Sequence, residues 1–120
     1  MILRFSLLAA LVTITVAAAD ISGTWKGTAE SPNGTFVRTF VFHQEGTALT
    51  GETVSERTGK SEIKDGKVEG DKVTFTITMN FQGNDVKVNY SGTIAGDEIK
   101  LRAEAAEGGF GVDYVAKRAK

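Results

Sequence analysis

Seven glycine-bearing turn signals punctuate the chain at a nearly constant interval. They are Asn33-Gly34, Glu45-Gly46, Thr58-Gly59, Gly70-Asp71, Gly83-Asn84, Gly96-Asp97 and Gly108-Gly109, each twelve or thirteen residues after the last. Glycine adopts positive φ without steric cost, and tight hairpins need that freedom. The bends cut the chain beyond residue 20 into eight segments of about ten residues. Each segment alternates. "KVTFTITMNF" (72–81) sets Val73, Phe75, Ile77, Met79 and Phe81 on one face and Lys72, Thr74, Thr76, Thr78 and Asn80 on the other. "DVKVNYSGTI" places Val86, Val88, Tyr90 and Ile94 together, and "EIKLRAEA" does so with Ile99, Leu101, Ala103 and Ala105. A period of two marks half-buried strands, and no segment carries a helical period. The one proline, Pro32, falls in a turn, where it interrupts no ladder.

Eight such strands bury their apolar faces either as a closed barrel or as a flat sandwich. Uniform short turns between sequential neighbours favour an all-β, eight-stranded antiparallel up-and-down barrel, and closure removes the exposed edges. "DGKVEGDKVTF" (65–75) and "SGTIAGDEIKL" (91–101) share a hairpin pattern twenty-six residues apart, as a repeating meander would.

The first nineteen residues read differently. Arg4 precedes the apolar run "FSLLAALVTITVA", and Ala17 and Ala19 supply a small-x-small cleavage pattern before Asp20. This is the layout of a signal peptide, with an N-terminal membrane anchor as the alternative. The expectation is therefore a leader over 1–19, a single barrel domain over 20–120, and a periplasmic or secreted location. Loss of Arg4 leaves 13 basic against 15 acidic residues, a net charge of −2. That balance gives no electrostatic basis for binding nucleic acid or, after cleavage, an anionic membrane. With no cysteine in the sequence, an exported chain of this kind holds together without disulfides.

Gly23-Thr24-Trp25 opens the first strand, and Arg118 shares the inward parity of Phe110, Val112, Tyr114 and Ala116 in the last. In this the chain resembles the lipocalins, whose first strand opens with G-x-W. The resemblance implies that Arg118 packs across Trp25 at the barrel base. "GTWKGTAESPNGTFVRTF" and "EGTALTGE" are also similar to the opening of the avidins. The likeness fails where biotin chemistry lies. Gly27 stands where avidins carry an asparagine, and the chain has one tryptophan where avidins use several. The layout further resembles small exported bacterial β-barrel proteins. Trp25 and Arg118 are thus read as a structural base, and any pocket belongs at the other end.

If the first strand runs upward, the mouth is lined by Phe36, Arg38, Ser55, Met79, Phe81, Val86, Ala103, Ala105 and Phe110. Arg38 is the anomaly, because it shares the inward face of strand two with Phe36, Phe40 and Phe42. An inward arginine is costly unless it is paired or reaches water. Three readings follow. It anchors the anionic head of an apolar ligand, it snorkels to the rim, or it pairs with Glu62 or another carboxylate. Under the first reading the ligand site comprises Arg38, Phe36, Met79, Phe81, Phe110 and Tyr90.

No catalytic constellation stands out. His43, the one histidine, falls on an outward face, and without cysteine no usual zinc site can be assembled. No metal and no cofactor is expected. Non-enzymatic binding of a small apolar or amphipathic ligand is the leading expectation. The alternatives are a protein-interaction or inhibitor module on a solid barrel, with an unknown protein partner, and a minor isomerase or cyclase using Arg38 and Tyr90.

Overall fold

The strand pattern becomes a closed ladder in the computed structural model, which describes residues 20–119 apart from Asn33. The expected leader over 1–19 lies outside the described residues. Nine antiparallel strands are found among those described: β1 (Gly23–Ser31), β2 (Gly34–Glu45), β3 (Ala48–Ser55), β4 (Gly59–Glu62), β5 (Lys64–Glu69), β6 (Lys72–Phe81), β7 (Asn84–Ala95), β8 (Glu98–Ala105) and β9 (Gly111–Arg118). They make an eight-stranded up-and-down barrel, because β4 and β5 are two parts of one barrel strand. β3 pairs with β4 through Glu52–Ser55 and with β5 through Ala48 and Leu49. The circuit closes where Trp25–Thr28 of β1 pair with Val115–Arg118 of β9.

The split in the fourth strand corrects the expectation of eight continuous segments. Lys64 pairs with Thr76 and Lys67 with Thr74, so β5 carries one extra residue there, a β-bulge. Asp65 sits at φ 53, a left-handed conformation that aspartate tolerates better than most side chains. The extra residue switches the inward parity. Ser61 and Ile63 face the interior before it and Val68 after it. Without the bulge, one of the two apolar residues would face water. Asp65-Gly66 is therefore a bulge signal rather than a hairpin turn. Gly66 lies so close to the Leu49 backbone that a Cβ would collide with it.

The lower half of the barrel is packed solid. Trp25, Phe42, Leu49, Val68, Val73, Ile99 and Ala116 are all buried at its foot. An aromatic layer lies above them. Phe75 stacks on Tyr90 with centroids 4.7 Å apart, and Phe40 meets Phe75, Tyr90 and Tyr114 edge-on at 6.2, 5.8 and 6.0 Å. Gly27 faces this layer, and a Cβ there would stand 2.7 Å from the Phe40 ring. The glycine two residues after the tryptophan is thus required by a ring.

Residues 20–22 and Arg118 close the foot. The Trp25 indole donates to the Ile21 carbonyl at 2.9 Å, and the Ile21 amide donates to Gln44 Oε1 at 2.9 Å. The Arg118 guanidinium lies 4.5 Å over the Trp25 ring. It also donates to the Asp20 carbonyl at 2.8 Å, the Ser22 carbonyl at 3.1 Å and the Asp97 carboxylate at 3.1 Å.

Toward the mouth the ladder is incomplete on two sides. The β1–β9 pairing ends at Thr28 and Val115, and the β5–β6 pairing ends at Lys64 and Thr76. Above those points β4 pairs with β3, and the upper part of β6 pairs with β7. The top of the barrel is therefore two hydrogen-bonded leaves, β4-β3-β2-β1 and β6-β7-β8-β9, with β4 and β6 adjacent but without ladder bonds between them.

The clamp at the foot predicts an asymmetry between its two partners. Arg118→Ala loses the ring contact and the bonds to backbone carbonyls, and should cost about 1–3 kcal/mol by urea denaturation. Asp97→Ala removes an ion pair with a largely exposed carboxylate and should cost under about 0.5 kcal/mol. Equal effects of the two would mean that the ion pair carries the clamp.

Candidate functional site

Above the aromatic layer the inward faces of β7, β8 and β9 carry smaller side chains, valine and alanine. Ala103 and Ala105 of β8 line a hollow together with Phe36 and Arg38 of β2. It measures ≈ 1030 Å³, counting a groove on the outer face of β2 and β3 near Val37 and Val54 with which it is continuous. Tyr90 and Tyr114 form its floor, Val86, Val88 and Val112 line its β7 and β9 walls, and the mouth opens between the hairpin tips.

The sequence-derived ligand residues separate into three groups. Phe36, Arg38, Met79 and Tyr90 all line this hollow. Phe81 ends β6, and its side chain lies outside the described residues. Phe110 also lines the hollow, at its rim and ahead of the last strand. The β8–β9 ladder begins only at Glu104 and Gly111, so Phe110 sits in the wide loop before β9, 43 % exposed. Its carbonyl accepts from the Ala105 amide at 3.2 Å, which holds it at the lip. Trp25 and Arg118 sit at the opposite end, away from the hollow.

Arg38 decides the character of the site. It is 4 % exposed, so it does not snorkel to the rim. The proposed pairing with Glu62 is also absent. Glu62 points outward and meets Lys64 at 3.4 Å, because it falls on the outward parity of β4. Among the described residues no carboxylate forms an ion pair with Arg38. Its partners are neutral: Nη1 donates to Thr53 Oγ1 at 2.8 Å, and Nη2 donates to Thr58 Oγ1 at 2.9 Å and to Met79 Sδ at 3.4 Å. The buried Nε–H has no partner among the described residues. A buried donor left unmatched costs about 1–3 kcal/mol, and more when the group is charged.

The surroundings sharpen this. Burial holds the Tyr90 hydroxyl well above the usual tyrosine pKa, and the hydrogen bond to Tyr114 adds to that, against the opposing pull of the Arg38 cation. Tyr90 is therefore neutral at physiological pH and offers Arg38 no anion. At the rim the Arg57 guanidinium lies 4.5 Å over the Phe36 ring, with Glu56, Asp85 and Glu107 around the opening. His43 stands on the outer face of β2, 3.6 Å from Glu45. Among the described residues no three His, Cys, Asp or Glu side chains are grouped to hold a metal ion.

Reading the sequence alone missed Thr53, Thr58 and Tyr114 as members of the site. Thr53 was legible, since it continues the inward parity of Leu49 and Gly51 on β3. Thr58 was not, because it reaches Arg38 from the loop between β3 and β4, where no periodicity applies. Comparison with family models, curated proteins and solved structures finds no match to this chain.

An uncompensated buried cation costs stability that an apolar side chain of similar volume would recover. Arg38→Met should raise the unfolding free energy by about 1–3 kcal/mol, read from the urea midpoint at constant slope. A loss of more than about 2 kcal/mol would instead make Arg38 a structural staple between β2 and the β3–β4 loop.

Proposed function

We propose that this protein is an exported, lipocalin-like carrier that binds a small amphipathic anion, with the apolar body in the hollow and the head on Arg38. The observation that carries this reading is the Arg38 guanidinium: buried, without a carboxylate partner, one N–H unmatched, on the wall of an apolar cavity. Apolar walls with one convergent polar anchor characterise small-molecule sites. The contact of Arg118 with Trp25 supports the lipocalin-like part of the reading, because it gives the chain the base its G-x-W resemblance implies. The leader-like residues 1–19 support export. The hollow favours a carrier over an interaction module on a solid barrel.

Calorimetric titration with straight-chain carboxylates of increasing length tests the proposal. Affinity should rise about fourfold per added methylene until the hollow is full. Arg38→Met should weaken binding by roughly 10–100-fold, the worth of a charged hydrogen bond. Absence of binding across the series, or equal binding to Arg38→Met, would contradict the reading.

A further inference from the structure

Resting on the carrier reading, we infer that Met79 is a displaceable cap over the Arg38 guanidinium, and that it makes the site selective for a monoanionic carboxylate head. A guanidinium presents a side-on fork, Nε–H with the adjacent Nη2–H, whose spacing matches the two oxygens of a carboxylate. In this barrel both halves of that fork are held back from a strong acceptor. Nε–H has no partner and is shut off from solvent, and Nη2 spends a donor on a thioether sulfur at 3.4 Å. Sulfur is a weak acceptor, so this bond is easily exchanged for one to oxygen. Carboxylate entry forms Nε–H···O and Nη2–H···O bonds and breaks only the Nη2–H···Sδ contact.

The placement of the partners makes the exchange local. Thr53 and Thr58, which hold the guanidinium through oxygen, belong to β3 and to the loop that follows it, on the β4-β3-β2-β1 leaf. Met79 comes from the upper part of β6, on the facing leaf, where β6 pairs with β7 and the ladder to β4 is missing. The methionine is half-buried. It has three rotatable bonds and no branch, so it can swing toward the mouth without unpinning Arg38 from its threonines. The cap also keeps the cation dry. A carboxylate then meets a guanidinium that has already been desolvated, where a charge-assisted pair is strong.

The same geometry limits the head group. Arg38 is the one buried cation among the residues that line the hollow; the exposed Lys26, Arg57 and Lys87 stand with Glu56, Asp85 and Glu107 around its outer part. A dianion would bring a second charge into the hollow with no buried cation for it, since Lys26, Arg57 and Lys87 are exposed on its outer part. A neutral alcohol would leave the Nε–H unmatched. Met79 is thus a specificity-determining residue, with Arg38 as the anchor.

The sequence contains two methionines, Met1 and Met79, so methyl-¹³C methionine labelling of the full chain gives a nearly private reporter, and Met79→Leu assigns it. The probes are decanoate, 1-decanol and decyl phosphate. Saturating decanoate should shift the Met79 methyl resonance along the same binding curve as calorimetry. Decanol and decyl phosphate should bind at least tenfold more weakly than decanoate. Met79→Ala, which lets water onto the guanidinium, should cut the decanoate-over-decanol preference about tenfold, whereas Met79→Leu, which removes the sulfur but keeps the bulk, should tighten decanoate several-fold. Decanoate binding with an unmoved Met79 resonance, or an unchanged preference in both variants, would overturn the cap and leave the carrier reading intact. Equal binding of decyl phosphate and decanoate would overturn the head-group selectivity. If none of the three probes binds the wild type, the carrier reading falls, and the cap with it.

Discussion

Four ladder pairs, from Trp25–Arg118 to Thr28–Val115, turn a meander into a barrel. Everything in the lower half depends on them. They bring the indole under the last strand, where the Arg118 guanidinium covers it and reaches the carbonyls of Asp20 and Ser22. They also close the aromatic layer of Phe40, Phe75, Tyr90 and Tyr114 into one packed unit. With no cysteine in the sequence, this packing and the ladder bonds supply the cohesion without disulfides.

A foot this well satisfied permits an upper half that is not. Two seams lose their ladder above mid-height, the interior of β7, β8 and β9 narrows to alanine and valine, and Arg38 sits among neutral partners. Functional sites commonly concentrate such local costs while the remaining structure holds them in place. Here the two halves divide along one line, the plane of the tyrosine rings. Below it every large side chain has a neighbour. Above it a cation and an apolar wall face an opening.

Much of this was readable from residues. The turn period and the alternation give the strand count, the direction of each face and the end of the barrel at which Arg38 lies. Parity alone placed Phe36, Arg38, Met79 and Tyr90 together. Four features escaped. The bulge at Asp65 changes parity inside a strand, and strict alternation has no means of anticipating it. The Thr58 contact comes from a loop, whose path depends on the strands it joins. Phe110 was assigned to the last strand because parity extends past the point where the wide β8–β9 loop ends the ladder. The open seams were invisible for a related reason: a pattern of faces says which way side chains point, not how far two strands stay in hydrogen-bonding register.

The division into a solid foot and a looser, open top is most directly tested by native-state hydrogen exchange. Amides in the closing ladder, such as Lys26, Thr28 and Lys117, should exchange only through global unfolding, together with those of the aromatic layer. Amides in β4 and in the upper part of β6 should exchange through local opening, at rates at least tenfold faster and with a smaller denaturant dependence. Uniform protection over the whole barrel, or earlier exchange in the Trp25–Arg118 ladder than at the mouth, would contradict it.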